Sequence, residues 1–222
     1  VILASRRIEK LKALQEELGN ARALQMDVAD KSSVARGFEA LESSGERIDI
    51  GVNNAGIAAR TPIFEADEEE KFESIIQTNL MGVWYVTQQL AYHMKDHGIP
   101  GSIIHIASIN GEAFPHREAV AYAVSKAAVI HMVKALVGEL SPYKIRINCI
   151  SPGLFHTPMT EHRLHTETQR KEFSDKIPLG FVAHPSHLDG ALLLLASQTH
   201  SAYMTGACLT VDGGRSFGAS WN

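Results

Sequence analysis

Apolar residues follow two different spacings along the chain. Nearly continuous apolar runs predict buried strands, and these lie near residues 1–4, 23–26, 48–52, 102–107, 145–150 and 208–211. Between them, apolar residues at helical spacing predict helices near residues 8–18, 30–41, 67–94 with a break near Gly82, 118–140 and 185–197. Strands and helices that alternate in this way, with strands this apolar, are typical of a parallel sheet covered on both faces. We therefore expect an α/β fold with a doubly wound parallel sheet, forming one domain over residues 1–222.

Residues 153–183 interrupt this pattern, because they are polar and carry no long apolar period. Long irregular segments in compact domains are often functional loops. We expect residues 153–183 to form a substrate loop. His156, His162 and His165 lie in it at spacings that can bind a metal, but neither a cysteine nor a zinc pattern accompanies them. We assign no metal site.

Composition narrows the classes of partner. The hydrophobic fraction of 45% supports a sizeable core, and a net charge of −4 argues against nucleic acid or an anionic membrane as the main partner. The longest apolar run, residues 191–196, is too short to span a membrane. The two cysteines, Cys149 and Cys208, lie in strand-like runs, which favours buried reduced thiols in a cytoplasmic protein.

The sequence "AYAVSK" at 121–126 can carry acid–base chemistry. Tyr122 and Lys126 are one helical turn apart, and a nearby ammonium group lowers the pKa of a phenol. Such a pair suits proton transfer to an alcohol or ketone oxygen. Ser108 follows a buried strand, at the end of the sheet where doubly wound folds bind ligands. Each residue also has an ordinary structural interpretation: a solvated helix face for the Tyr–Lys pair, and a turn for Ser108.

Seven short motifs occur in one order across nearly the whole chain. They are "DV" at 27–28, "NNAG" at 53–56, Asn79, Ser108, Y-x-x-x-K at 122–126, "PG" at 152–153 and "VDGG" at 211–214. In this order and spacing they resemble the short-chain dehydrogenase/reductase family. The resemblance implies a Rossmann-like fold and an NAD(P)-dependent oxidoreductase that interconverts a secondary alcohol and a ketone.

The resemblance also implies residue roles. Tyr122 would be the catalytic acid/base, Ser108 would orient the substrate carbonyl, and Asn79 would hold a water in the proton relay. Lys126 would lower the pKa of the tyrosine and bind the nicotinamide ribose. The cofactor-binding residues would further include Asp27, Val28, Asn53, Ala55, Gly56, Pro152, Gly153 and Thr157.

The opening "VILASRR" resembles the second strand of this family rather than the first. A first strand and a glycine-rich loop of the form TGxxxGxG would precede it, and no such loop follows any predicted strand here. We therefore expect one strand–loop–helix unit to be missing from the chain, with its strand between residues 1–4 and 48–52.

The end of that opening strand bears on the choice of cofactor. No acid precedes Glu9, so Ser5 and Arg6 would meet the adenosine ribose, and an arginine there favours the 2′-phosphate of NADP over NAD. Arginines that are simply solvated are the alternative interpretation.

Several questions stay open at the level of sequence. A polyol or sugar-acid dehydrogenase, such as a gluconate dehydrogenase, competes with a 3-oxoacyl-carrier-protein reductase, and a non-enzymatic binding module is the rival from another class. The fourteen-residue step from Ser108 to Tyr122 is one longer than the family pattern and is expected to alter the substrate pocket. The resemblance also implies a homotetramer, with the stripe Val129, Met132, Val133 and Leu136 of helix 118–140 serving both core and interface.

Overall fold

The computed structural model describes residues 1–65, 69–112 and 117–218. Its strands are β1 (Ile2–Ser5), β2 (Arg22–Gln25), β3 (Ile50–Asn53), β4 (Ser102–Ile106), β5 (Arg146–Pro152) and β6 (Cys208–Val211). Its helices are α1 (Ile8–Leu18), α2 (Lys31–Ser43), α3 (Glu69–Ile76), α4 (Gly82–Asp96), α5 (Val120–Leu140), α6 (Glu167–Ser174) and α7 (Asp189–Ala196). Strands and helices alternate as the sequence predicts.

The strands form two parallel sheets. One pairs β1 with β2, and the other has the order β3-β4-β5-β6. Within the described residues no strand pairing joins β1 to β3, and Ile50 and Val52 on β3 are 40% and 43% exposed. The separation falls between the same two segments where the resemblance places a missing strand.

The main core lies between the four-stranded sheet and the helices α4 and α5. Ile103 on β4 and Ile147 on β5 are fully buried there against Met94 of α4 and Val129 of α5. A second cluster on the opposite face packs Ile104 and other strand residues against α7. Because each of these strands is covered on both faces, its sequence is apolar almost without interruption.

Local signals mark the end of α1 and the start of α2. Gly19 follows α1 with a φ of 66°, in the left-handed region that glycine adopts at little cost. The side chain of Asp30 accepts a hydrogen bond of 2.8 Å from the N–H of Ser32 and caps α2.

Two predicted segments differ from the structure. The long helix expected over residues 67–94 is two helices, α3 and α4, joined by a wide π-type turn at Gln77–Met81. Residues 153–183 are not irregular throughout, because they contain α6 and a bridge that pairs Phe155 with Ala183. The helix α6 was missed because its eight residues are mostly polar and bury none of their side chains.

The catalytic helix is more apolar than the sequence analysis allowed. The segment Val120–Tyr143 is long and apolar enough to cross a membrane, with a mean hydropathy of 1.5. This length belongs to the whole helix, in which polar residues interrupt the apolar ones, and not to a continuous apolar run. Its apolar residues have another use here, since Val129, Val133 and Leu136 pack in the main core.

Candidate active site

Ser108 and Tyr122 meet at the carboxyl end of β4. Ser108 follows the strand in extended conformation, with a φ of −172°, and its Oγ accepts the N–H of Asn110 at 3.2 Å. Tyr122 lies in the first turn of α5, and the Ser108 side chain is close enough to it to lower the pKa of its phenol. The two hydroxyls are thus held together where a doubly wound sheet binds its ligand.

The electrostatics of Tyr122 differ from the sequence expectation. Burial raises the pKa of the Tyr122 phenol, and the hydrogen bond from Ser108 opposes that rise. Lys126, expected to lower this pKa, places its Nζ 5.7 Å from the ring centre and donates to the carbonyl of Ile106 at 2.7 Å. Burial also lowers the pKa of Lys126 itself to about 8.

Asn79 lies in the π-type turn and is fully buried. Its Oδ1 accepts the N–H of Ile57 at 2.8 Å, and its Nδ2 donates to the carbonyl of Ile57 at 2.9 Å and to the Oγ of Ser125 at 3.2 Å. Ser125 belongs to the turn of α5 between Tyr122 and Lys126. Asn79 therefore fastens the segment after "NNAG" to the catalytic helix.

Gly56 keeps the backbone close to these side chains. A Cβ at this position would lie 3.3 Å from Asn79 Oδ1 and 3.5 Å from Lys126 Nζ. Asn53, at the start of the motif, is buried and donates through Nδ2 to the Oγ1 of Thr87 at 3.0 Å. The structure thus brings Asn79, Ser108, Tyr122 and Lys126 together around this loop, and Ala55 within it is exposed.

Asp27 and Val28 form the turn that follows β2. The carboxylate of Asp27 accepts the N–H of Ala29 at 3.0 Å, so it shapes the turn itself. Val28 packs tightly on α4, since a Cβ on Gly82 would lie 2.9 Å from the Val28 carbonyl oxygen. Val28, Asn53, Ala55, Gly82 and Val83 line a small cavity of about 10 Å³, which is the space of one water.

Pro152 is the last residue of β5, and Gly153 and Thr157 follow it. Gly153 donates its N–H to the carbonyl of Val211 at 2.9 Å, and a Cβ there would lie 2.7 Å from the Cα of Asp212. Thr157 donates its N–H to the Oγ1 of Thr160 at 3.0 Å, which closes a turn at the start of the substrate loop. These residues border the same end of the sheet as the catalytic set.

Ser5 and Arg6 end β1, in the other sheet. The Oγ of Ser5 accepts the N–H of Arg7 at 3.2 Å, and the carbonyl of Arg6 accepts the side-chain amide of Gln25 at 3.1 Å. The Arg6 side chain is exposed. In residues 1–65, 69–112 and 117–218, no carboxylate lies within ion-pair distance of its guanidinium group.

The chemistry of these residues fits the two nucleoside ends of a nicotinamide dinucleotide. Tyr122 and Lys126 can hydrogen-bond a ribose, and Gly56 lets backbone approach it closely. Ser5 and Arg6 can meet the adenosine ribose. A glycine-rich strand-to-helix turn that would cradle the diphosphate is not found in the described part of the chain.

His105 is a buried polar residue that sequence reasoning did not single out. The Oγ1 of Thr87 donates to the carbonyl of Val83 at 2.6 Å, so it can only accept from the Nε2 of His105, 3.0 Å away. The ring is therefore the Nε2–H tautomer, and its Nδ1 has no hydrogen-bond partner among the residues that the structure describes. Burial, together with the charge of Lys126, lowers the pKa of His105 to about 3 and keeps the ring neutral. The signal was available, because a histidine interrupts an otherwise apolar strand.

A cluster of possible metal ligands lies away from the substrate loop. Glu42 on α2 meets His93 and His97 on α4, and the ligand atoms lie within 4.8 Å of one another. The N–H of Ile48 donates to His93 Nε2 at 3.0 Å, so the proton of the neutral ring is on Nδ1 and is donated to Glu42. Because that nitrogen has no free lone pair, the cluster is a carboxylate–imidazole network that joins the two helices.

The sequence did not reveal this cluster, since its residues are far apart along the chain. Hydrogen bonds from His93 and from His97, whose Nε2 lies 2.8 Å from the carboxylate, lower the pKa of Glu42. Of the three loop histidines, none belongs to a group of potential metal ligands within the described ranges.

A serine, a tyrosine and a lysine at the carboxyl end of a parallel sheet define a Rossmann-type oxidoreductase. The family model described as enoyl-(acyl carrier protein) reductase matches residues 1–216. The chain belongs to the short-chain dehydrogenase/reductase family, and the predicted fold class is confirmed.

Similar proteins come from fungi and bacteria. A D-arabinitol 2-dehydrogenase (ribulose-forming) of Scheffersomyces stipitis is 36% identical over 201 residues, which is 89% of this chain and 72% of the relative. A 3-oxoacyl-[acyl-carrier-protein] reductase of Thermotoga maritima is 36% identical over 190 residues, 85% of this chain and 74% of the relative. The structure of a gluconate 5-dehydrogenase from Burkholderia cenocepacia, in complex with NADP and tartrate, is 30% identical with a TM-score of 0.90, covering 97% of this chain and 85% of that one.

Proposed function

We propose that this oxidoreductase interconverts a secondary alcohol and a ketone of a small polyol or sugar acid, with NADP as its preferred cofactor. The observation that carries the proposal is the placement of the Ser108 and Tyr122 side chains together beside the buried Lys126. The names of the arabinitol and gluconate dehydrogenases among its relatives support a hydroxylated substrate.

The residues of the set have different roles in the proposed reaction. A bound nicotinamide supplies or accepts the hydride. Ser108 donates a hydrogen bond to the substrate oxygen, and Tyr122 gives that oxygen a proton in reduction or removes one in oxidation. Lys126, held by the carbonyl of Ile106, binds the ribose and stabilises the tyrosinate as it forms. Asn79 fixes the loop that closes the site.

The preference for NADP rests on Arg6. Its exposed guanidinium can form a charge-assisted, bidentate contact with a 2′-phosphate, and Ser5 beside it can add one hydrogen bond. The relative that was crystallised with NADP supports the same choice.

A cytoplasmic homotetramer is the assembly we propose, with neither nucleic acid nor membrane as a partner. Of the stripe named from sequence, Val129, Val133 and Leu136 are buried in the core of the chain itself, and Met132 is partly buried against it. The outward face of α5 carries Val124, which is 49% exposed, and Ala135.

Light scattering checks the assembly. We expect the full-length protein to have four times the mass of one chain at micromolar concentration. Ala135→Glu on the outward face should reduce that mass, whereas Lys10→Glu on exposed α1 should not. A wild-type monomer contradicts the proposal.

A substrate panel tests the function. Purified full-length protein is assayed with C4–C6 polyols, aldonates and a 3-oxoacyl thioester, each with NADPH or NADP⁺ and with NADH or NAD⁺. We expect the highest kcat/KM for a polyol or sugar acid. A higher value for the thioester supports the 3-oxoacyl-carrier-protein reductase instead, and no turnover with any substrate supports the non-enzymatic binding module.

A further inference from the structure

The two cysteines of the chain lie side by side on neighbouring strands. Cys149 of β5 and Cys208 of β6 are direct register partners. Their side chains share one face of the sheet, and each thiol shifts the pKa of the other. Adjacent strands place paired Cα atoms about 4.8 Å apart, within the range of about 4.4–6.8 Å that a disulfide spans. Both thiols are free in the structure.

The two thiols differ in reactivity. Cys149 is fully buried, whereas Cys208 is partly exposed on β6, which pairs only with β5 among the described residues. The hydrogen bond to Cys208 and burial raise the pKa of Cys149. The hydrogen bond from Cys149 lowers the pKa of Cys208, helped by Ser151, whose Oγ lies 3.4 Å from its sulfur. Cys208 is therefore the thiol that ionises first and meets an oxidant first.

Cys208 also touches the segment that carries the catalytic serine. Its Sγ lies 3.2 Å from a carboxylate oxygen of Glu112, and the hydroxyl of Thr210 donates to the same carboxylate at 3.2 and 3.1 Å. Glu112 ends the turn that begins at Ser108, since Gly111 donates to the carbonyl of Ser108 at 2.9 Å and Glu112 to that of Ile109 at 3.2 Å. The thiol thus helps to hold the catalytic turn against the edge strand.

We propose that Cys149 and Cys208 form a peroxide-sensitive dithiol that closes reversibly to a disulfide and lowers turnover. The Cys208 thiolate attacks one oxygen of hydrogen peroxide, the O–O bond breaks, and hydroxide leaves and is protonated to water. The Cys149 sulfur then displaces the sulfenic oxygen of Cys208, which also leaves as water, and the S–S bond forms. Two thiols lose two electrons and one peroxide gains them.

Closing the bond removes the hydrogen bond between Cys208 and Glu112, so the turn at Ser108 loses one of its anchors. Losing one hydrogen bond to a charged group corresponds to about a tenfold or greater effect. A disulfide between directly paired strand neighbours is at the strained end of its range, and strain favours reduction. A dithiol reductant should therefore restore activity.

The primary experiment measures mass, which is independent of any assumption about substrate. Full-length protein is treated with a small excess of hydrogen peroxide, quenched, and measured intact and after non-reducing digestion. We expect a loss of two hydrogens and a cross-linked peptide pair containing residues 149 and 208. Addition of oxygen atoms without a cross-link, or a cross-link between two chains, overturns the proposal.

Variants separate the two sulfurs. In Cys149→Ala the oxidation should stop at a sulfenic acid on Cys208 that dimedone traps. In Cys208→Ser the buried Cys149 should stay reduced. If Cys149→Ala fails to fold, the wild-type mass measurement alone still decides.

Activity on a substrate from the panel gives the second readout. Oxidised wild type should lose about tenfold in kcat and regain it with dithiothreitol, whereas Cys208→Ser should be insensitive to peroxide. A complete cross-link with unchanged kcat overturns the effect on turnover. Since the cross-link is measured without substrate, failure of the proposed reaction is distinguishable from failure of this switch.

Discussion

Polar residues at the end of the four-stranded sheet are buried, whereas an arginine at the end of the two-stranded sheet is exposed. At the end of β4, Asn79, Ser108 and Lys126 are buried, and their polar atoms have partners within the protein. At the end of β1, the side chain of Arg6 is exposed. In the first region the protein itself holds the polar groups in place, which suits them to catalysis. The second region offers an exposed positive charge, which a ligand can contact without depending on it. Mutations in the two regions should therefore have different kinetic signatures.

The largest effect is expected in the four-stranded region. Tyr122→Phe keeps the ring and its packing but removes the proton donor, so kcat should fall by about 10²–10⁴-fold with little change in cofactor affinity. Steady-state kinetics and a fluorescence titration with the cofactor measure the two quantities. Tyr92→Phe, on the exposed face of α4, is the matched control and should keep its turnover. Near wild-type turnover in Tyr122→Phe removes the assignment.

The two-stranded region should change selectivity instead. Arg6→Asp replaces a cation with an anion that repels the 2′-phosphate, so the ratio of kcat/KM for NADP to that for NAD should fall about ten- to a hundredfold. Turnover with saturating NAD should persist. Arg7→Asp is the control for a general change in the electrostatic potential at this end of β1. A wild type that prefers NAD, or an equal effect of both substitutions, contradicts the role of Arg6.

Burial in the four-stranded region should appear as pH-dependent stability. The folded pKa of His105, about 3, lies below its unfolded value of 6.5, so the unfolded chain binds a proton that the folded chain does not. Above pH 6.5 the titration of His105 therefore does not reduce the free energy of unfolding. Below pH 6.5 that free energy should fall by about 1.4 kcal/mol per pH unit toward pH 3.

His105→Gln removes that titration. Urea unfolding of wild type and variant at pH 7, 6 and 5 measures the difference, and His165→Gln in the exposed substrate loop is the control. The wild-type curve should be steeper than the variant curve over this range. Parallel curves show that the His105 ring is protonated as readily in the folded chain as in the unfolded one.

The smallest effect is expected where the two regions meet. Glu42 of α2 and His97 of α4 are partly exposed, so His97→Gln should cost only about 0.2–1 kcal/mol at neutral pH. Hydrogen bonds in the folded state lower the pKa of Glu42, so its stabilising contribution is present above the unfolded value of 4.5 and is lost as the pH falls through the folded one. The variant should lose this contribution at a higher pH in urea titrations. A loss of stability above that range indicates that His97 contributes more than its contact with Glu42.

The sequence predicted best what local chemistry determines. The bounds of α1 and β6 match because a glycine ends the helix and a short apolar run defines the strand. The residues Asn79, Ser108, Tyr122 and Lys126 were named because they occupy a recognisable order along the chain, and the structure brings them together, whereas their catalytic roles stay a prediction. The π-type turn at Asn79 was predicted only as a break, because its geometry follows from contacts with Ile57 and Ser125.

Contacts between distant segments explain the remaining misses. Glu42 and His93 are 51 positions apart, and nothing near either residue indicates the other. The raised pKa of Tyr122 depends on how deeply the ring is buried, which spacing on a helix does not report. The core role of the stripe on α5 is confirmed, whereas its interface role stays a prediction, because periodicity shows that a face is apolar but not what covers it.

The close packing of backbone atoms around Gly111 limits how this enzyme can be redesigned. A Cβ there would lie 2.5 Å from backbone atoms of Lys126 and Ala127, so any side chain would push the catalytic helix away. Engineered libraries should therefore leave residues 108–111 unchanged and begin their diversity after Glu112. The extra residue of this segment is expected within residues 111–120, of which 113–116 lie outside the described residues, so positions after Glu112 are the natural place to vary substrate preference.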